Sequence, residues 1–398
     1  MRDADIGIVG GGLAGSIAAA MLGRAGISSI LIDTHRAYPP DFRCEKFDQH
    51  QLELLAKTGL ADGILRRATA MNELSVARFG HLTAKRATKQ VGIAYDDMVN
   101  AARAEIPEGT RFIPARVTAI STSADTQTIT TSKGQTFSVR LVILATGLNL
   151  NLCRSLNIER EVQSKCHSVS IGFDVVANGR DHFNFSALTY FGGKPDRHIA
   201  YISLFPIKSA MRANLFLYRD MGDPWLRKFR EAPEAMLYSS MPKLKRLMGT
   251  FHVSSEIRIR PADLYVTKGH RQHGVVMVGD AFATSCPAAG TGTTKVLTDV
   301  ERLCNLYIPR WLATDGMDEG KIGAFYDDPA KTACDAQSAL RADYTRSLAL
   351  DEKLRWRVRR AGWSVIDVAG EAFPRLLGWL GRRKELAYVS QSRIRAAE

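Results

Sequence analysis

The sequence predicts an α/β fold: a domain built on a parallel sheet, interrupted by an inserted and mostly antiparallel sheet, and followed by a helical C-terminal tail. Three observations predict it. Residues 4–33 run strand, glycine turn, helix, strand; from about 165 to 275 the pattern changes to long alternating strands; and Gly274–Gly279 is a short apolar run whose Gly/Pro-rich loop leads back into a helix at 293–313. The expected division is residues 1–160 with 275–315 as one discontinuous domain, 161–274 as the insertion, and 316–398 as the helical region.

In the first unit, Ala4–Gly10 is the strand, Leu13–Ala25 carries apolar residues at helical spacing, and Ser29–Asp33 is the second strand. Residues 48–68 and 91–106 read as helices. Strands are expected around Arg111–Ile120, Thr128–Thr131 and Leu141–Ala145, with a hairpin turn at 132–135 formed by Ser-Lys-Gly-Gln. Ser168–Val176 and His198–Phe205 alternate as strands of the inserted sheet, which a helical stretch near Pro224–Met248 interrupts. There is no internal repeat and no low-complexity linker.

Composition agrees with a folded chain of more than one domain. Of 398 residues, 45% are hydrophobic and 24% charged, which is ordinary globular usage and excludes a disordered or fibrous class. No window is apolar enough for a membrane span, and the first motif begins within a few residues of the N-terminus, which leaves no room for a signal peptide; a cytoplasmic protein is expected. The six cysteines form no CxxC pair, so neither a disulfide framework nor a zinc site is indicated. A net charge of +13 suits nucleic acid, an anionic membrane or an acidic substrate, and charge alone does not choose among them.

Gly10, Gly12 and Gly15 form a GxGxxG turn between a strand and a helix, with Asp33 closing the next strand. The first glycine permits the turn, the second lets the backbone approach a pyrophosphate, and the third lets helix and strand pack closely. Leu13 and Ala14 open the helix, whose N-terminal N–H groups and dipole attract phosphate, and Asp33 can accept both hydroxyls of an adenosine ribose. A second constellation, Gly279-Asp280-Ala281 followed by Pro287, Gly290 and Gly292, lies at the start of the later helix.

These two constellations together resemble the flavoprotein aromatic hydroxylases of the para-hydroxybenzoate hydroxylase superfamily. The resemblance covers roughly residues 4–310 and implies a Rossmann-like FAD-binding domain of the GR2 type. It implies that Asp280 binds the ribityl chain, that Pro287 borders the flavin ring, and that the backbone at Gly290–Gly292 faces its pyrimidine end. A third, weaker match begins at Arg43, similar to the arginine-led segment that crosses the FAD pyrophosphate in that family. Glu45 and Lys46 beside it are candidates to pair with each other.

The departures from the family are specific. Thr146 stands in Ala145-Thr146-Gly147 where the family has an aspartate before the glycine, although Arg154 downstream fits, and this puts direct use of NAD(P)H in question; a separate reductase is the other source of electrons. Tyr95 replaces the arginine usual at the start of the helix near residue 95. Tyr201-Ile-Ser-Leu-Phe205-Pro206 is similar to the YxWxFP stretch of geranylgeranyl reductases, with Ser203 in place of tryptophan. It lacks both tryptophans of the WxWxIP stretch of flavin halogenases, which argues against chlorination.

The resemblance implies an FAD-dependent monooxygenase that passes one oxygen atom from a flavin C4a-hydroperoxide to an apolar or aromatic substrate. An FAD-dependent reductase of carbon–carbon double bonds shares nearly all of these motifs, and a non-catalytic isoprenoid-binding protein shares the fold. No catalytic acid or base stands out, since oxygen transfer to an activated ring chiefly needs a dry pocket. His167, His198 and Tyr201 can face a substrate, but they fit structural roles equally. In the tail, residues 341–398 hold 13 Lys+Arg against 7 Asp+Glu. Leu350, Leu354, Val358, Ala361 and Val365 form a helical stripe among Arg355, Arg357, Arg359 and Arg360, with Trp356, Trp363 and Trp379 nearby. Such a helix can either pack on the enzyme or lie at an anionic membrane surface and receive a lipophilic substrate there.

Overall fold

The structure is a computed structural model and describes residues 2–43, 45–78, 80–149, 151–192 and 197–360. Its first sheet has seven strands. Ala4–Val9 lies parallel between Ser29–Asp33 and Thr136–Leu144, so that Ile8 faces Leu31 on one side and Ile143 on the other. Ile6, Ile8, Ile30, Leu31, Leu141 and Ile143 are fully buried, as continuous apolar runs in a parallel sheet require. The helix Leu13–Arg24 packs between this sheet and the helices Tyr95–Ala104 and Gly292–Arg302, which leaves Ile17, Ala18, Ala19 and Ala20 fully buried. The turn at 132–135 closes with Thr131 N–H donating to Gln135 O at 2.9 Å, and Gly134 takes φ +73°. Val275–Met277, far along the chain, adds to Thr136–Leu144 in parallel.

The second sheet has eight strands, in the order Phe251–Val253, Glu159–Ala177, Ala210–Leu217, Ile199–Ile207, Ala187–Phe191, Glu73–Arg78 and His81–Ala87, with Arg258–Lys268 also paired to Glu159–Ala177. It is antiparallel except where Ala187–Phe191 meets Glu73–Arg78. The hairpin 73–87 comes from the N-terminal part of the chain, and nothing in the sequence pattern announced it. His81–Ala87 is an exposed edge strand carrying Lys85 and Arg86, so it lacks the buried alternation that reveals a strand. One face of the sheet buries Val169, Ile171, Phe173, Leu204 and Leu215 against Phe229, Leu237 and Leu244 of the helices Pro224–Glu231, Pro233–Ser240 and Leu244–Met248.

The single helix expected over 48–68 is two. Gln49–Lys57 starts at a capping box of Asp48 and Gln51, and ends before Gly59, whose φ of +73° breaks the helix ahead of Ala61–Leu65. The later helix runs Gly292–Arg302 and continues through one π turn into Ile308–Leu312.

The C-terminal region is helical over Glu319–Tyr326 and Pro329–Leu350. Pro329–Leu350 packs on Gly292–Arg302 through buried ions. Lys331 Nζ lies 2.7 Å from Asp299 Oδ1 and 3.3 Å from Asp335, and Lys295 lies 2.9 Å from Asp335. Burial disfavours the Lys331 ammonium, but Asp299 and Asp335 outweigh it and raise its pKa. Beyond Leu350, Trp356 is buried against Tyr344 with ring centroids 5.4 Å apart, whereas Leu354 and Val358 are 74% and 60% exposed. Ala361, Val365, Trp363 and Trp379 lie outside the described residues. No helix among the described residues is long and apolar enough to cross a membrane.

Lys331→Met removes the cation from a buried pair and leaves Asp299 without its counter-charge. The expected cost is about 3–5 kcal/mol, read as a fall in the urea midpoint of the purified protein. A midpoint within experimental error of the parent would show that the pair is dispensable.

Candidate functional site

The first glycine loop has no room for a side chain at Gly10 or Gly15, whereas a Cβ on Gly12 would meet only the Tyr95 hydroxyl, at 3.8 Å. Gly10 takes φ +100°, and a Cβ there would stand 2.5 Å from Ala145 O. A Cβ on Gly15 would stand 1.9 Å from Gly10 O, so the helix can start where it does only with glycine. Asp33 Oδ2 accepts the Gly11 N–H at 2.7 Å and Oδ1 accepts the His35 N–H at 2.9 Å. Arg103, which sequence reasoning did not single out, grips the other side of the loop. Its Nε donates to Gly11 O at 3.1 Å, its Nη1 donates to Arg36 O at 2.7 Å, and its Nη2 lies 3.4 Å from Asp33 Oδ1. The only sequence signal was its place in the last turn of the helix Tyr95–Ala104.

Tyr95 is buried at the start of that helix, and its hydroxyl lies beside the first loop, 3.8 Å from where a Cβ on Gly12 would stand. The guanidinium of Arg43 lies 5.7 Å from the Tyr95 ring centroid. Arg43 Nε donates to Asp41 at 2.7 Å, and Arg43 Nη1 lies 3.6 Å from Asp280 Oδ2. The second loop therefore meets the first: Asp280 sits in the short turn Gly279–Ala281, and a Cβ on Gly279 would be 3.9 Å from the Cβ of Ala14. Burial pushes the Asp280 carboxyl up, against the pull of Arg43, Lys295, Arg160 and Arg260. Pro287–Ala289 forms a 3-10 turn, Gly290 takes the left-handed φ of +68°, and Gly292 opens the helix. Gln51 donates to Gly290 O at 3.0 Å, and the Tyr201 hydroxyl donates to Ala288 O at 2.9 Å.

Thr146 lies beside Gly147, but Arg154 does not return to this turn in any described contact. Arg160 does: it donates to Gly147 O and Leu148 O, each at 2.9 Å, and stacks 4.0 Å over Tyr265, whose hydroxyl donates to Asp280 O. Of the other candidates, Tyr201 reaches the second loop. His167 is buried against Tyr218, with ring centroids 6.0 Å apart, and His198 is exposed. Phe205 is buried in a small cluster with Met71, Ala187 and Ile207.

Asp41, Phe42, Glu45 and Lys46 reach four neighbouring strands of the second sheet. Asp41 pairs with Arg260 at 2.7 Å, and Phe42 lies against Gly172, where a Cβ would be 2.3 Å from its ring. Glu45 pairs with Arg212 at 2.5 Å, and Lys46 Nζ lies 3.5 Å from Ser203 Oγ. Glu45 and Lys46 thus do not pair with each other: consecutive side chains of an extended segment diverge, and the sheet offers each a partner. Arg212 also holds Asp174 at 2.6 Å, so one guanidinium serves two carboxylates.

Residues 3–307 match the family described as FAD binding domain. The chain belongs to that family. It is an FAD-dependent oxidoreductase. Solved structures with the same fold include a p-nitrophenol 4-monooxygenase from Pseudomonas putida DLL-E4 (16% identity, 95% of this chain and 97% of that one, TM-score 0.73). A flavin-dependent brominase (16%, 90% and 92%, TM-score 0.66) and a halogenase in complex with phloroglucinol and FAD (15%, 96% and 84%, TM-score 0.70) share it too. No curated relative matches the sequence.

Glu45, held by Arg212, offers a measurable titration. Burial pushes the Glu45 carboxyl up from 4.5 to about 7, against the pull of Arg212. A raised carboxyl pKa favours the folded state below about pH 4.5, and that stability is lost as pH rises through about 7. The loss is at most about 3 kcal/mol. Glu45→Gln should flatten the fall in melting temperature between pH 4.5 and 7; a variant as pH-dependent as the parent would show that Glu45 is ionised throughout.

Proposed function

We propose that the protein is an FAD-dependent monooxygenase acting on an aromatic substrate held between the flavin and the inner face of the second sheet. The observation that carries this reading is the convergence of both glycine loops, Arg43 and Asp280 beside that face. Gly10, Gly12, Leu13, Ala14 and Gly15 offer backbone N–H groups and close approach to the pyrophosphate, with Arg43 as its cationic partner. Asp33 takes the adenosine ribose, and Asp280 takes the ribityl chain. Pro287, Gly290 and Gly292 set the backbone and the helix N-terminus against the flavin ring, where the helix dipole stabilises negative charge. The residues present suit the cofactor: Gly10 and Gly15 admit no side chain in the first loop, and Asp33 and Asp280 belong to the two different loops.

Reduced FAD supplies the chemistry with O2, giving one oxygen atom to the substrate. The chain's own part is to position the ring and keep water out. Tyr201 and Phe216, with ring centroids 4.7 Å apart, form a half-buried wall with Leu264 and Ala289 beside the Pro287 loop. The p-nitrophenol monooxygenase and the phloroglucinol-bound halogenase act on or bind phenols, which supports an aromatic substrate here. Electrons come from NAD(P)H or a separate reductase, and Thr146 in place of the family's aspartate favours the latter.

Two measurements test the assignment. Asp33→Ala removes a charged acceptor for the ribose and should weaken FAD binding by about 1.5–3 kcal/mol, or about 10–150-fold, in a fluorescence titration. Unchanged affinity would detach Asp33 from the adenosine end. In stopped flow, the dithionite-reduced protein mixed with O2 should reoxidise in two phases, only the first depending on O2 concentration. A single O2-dependent phase under all conditions would count against oxygen transfer.

A further inference from the structure

We propose that the helical residues 354–360 dock the protein on an anionic lipid bilayer, with Leu354 and Val358 entering the headgroup region between Arg355 and Arg357. This does not depend on the function proposed above.

One side of this helix is held by the protein. Trp356 is buried against Tyr344, Arg359 lies 4.9 Å over the Tyr344 ring, and Arg360 donates to Leu348 O at 3.1 Å. Asp351 accepts the Lys353 N–H at 2.9 Å and so fixes the turn that sends the chain back along Pro329–Leu350. A helix advances about 100° per residue, so Leu354 and Val358 each stand about 200° from Trp356 and share the side turned away from the protein. They are 74% and 60% exposed, the two most exposed large hydrophobic side chains among the described residues. Of the two fates the sequence leaves open for this stretch, packing on the enzyme accounts for Trp356 but not for these two, since an outward helix face in water is ordinarily polar.

Arg355 and Arg357 are exposed and stand about 100° to either side of Trp356, so they edge the apolar crest on both flanks. Residues 351–360 hold five Lys and Arg against Asp351 and Glu352, and Asp351 is already engaged by the turn, which leaves the surface around the crest cationic. In an interfacial helix the apolar side chains reach the acyl boundary while arginines on the flanks meet headgroup phosphates.

The size of the crest favours lipid over protein. Two side chains fall far short of the roughly 800 Å² per partner that a stable protein interface buries, so a second copy of the chain would find too little to hold. A bilayer sets no such minimum, and it gains from each apolar side chain it covers and each cation it attracts. Nucleic acid would use the arginines but not the leucine and valine. The helix also follows directly on Ala349 and Leu350, which pack on the cluster of Tyr218, Cys286 and Ala288 beside the Pro287 loop. Docking would bring that side of the protein toward the lipid.

The test is co-sedimentation of the full-length protein with vesicles of phosphatidylcholine, alone or mixed with phosphatidylserine. At low salt the anionic vesicles should bind about tenfold or more tightly than the neutral ones, and the difference should shrink as salt rises. Two double variants separate the crest from its charge. Leu354→Ser with Val358→Ser, and Arg355→Gln with Arg357→Gln, should each weaken binding about tenfold or more. Both should melt close to the parent, because all four side chains face solvent. No binding to anionic vesicles at low salt, or equal binding to both kinds, overturns the proposal. So does binding that survives the Leu354 and Val358 changes, since the cationic surface would then act alone. A concentration-dependent dimer in sedimentation velocity, lost with Leu354→Ser and Val358→Ser, would assign the crest to a second copy instead.

Discussion

Asp299 is the residue on which the two ends of this protein depend. One of its oxygens accepts the N–H of Gly279 at 2.8 Å, and the other meets the Lys331 ammonium at 2.7 Å. Gly279 is the first residue of the turn that carries Asp280, and Lys331 belongs to the helix Pro329–Leu350. Both side chains of the ion pair are almost completely buried, at 1% and 2% exposure. A buried pair of this kind adds little net stability over an apolar contact, but it accepts only one geometry. Its value here is positional: the turn is held at one height relative to the first glycine loop.

The second constraint is the extended segment 41–47. Asp41, Phe42, Glu45 and Lys46 reach four neighbouring strands of the second sheet, and Arg43 turns toward Tyr95 and Asp280. The chain thereby ties the relation of the two sheets to the same residues that face the cofactor loops. A change in how the sheets sit would move Arg43, and a change at Arg43 would be felt through Asp41 at Arg260.

Much of this was legible in the sequence because local chemistry dictated it. Gly10 and Gly15 need positions that no side chain can occupy, and such glycines, set between a strand and a helix, leave a readable spacing. Asp33 and Asp280 follow from their places at strand ends. Arg103 and Arg160 were not legible, because each acts by donating to backbone carbonyls outside its own element, and any arginine on a helix or strand looks the same in sequence. The hairpin 73–87 was hidden for a related reason: an edge strand with one open face carries little hydrophobic alternation. Glu45 and Lys46 were adjacent in sequence, which suggested a pair, but extended backbone sends neighbours apart and tertiary partners took each of them.

The strand Val275–Met277 completes the first sheet more than a hundred residues after the strand it joins, and Lys331 comes later still. During synthesis the N-terminal βαβ unit leaves the ribosome long before the turn at Gly279 exists, and that turn leaves before the helix that anchors it. The early glycine loop therefore waits while the far half of the candidate site is unmade. Holding such long-range contacts until the end is slow in folding terms. A truncated product that ends before residue 331 retains the recognisable opening motif without the Lys331–Asp299 pair that holds the turn at Gly279.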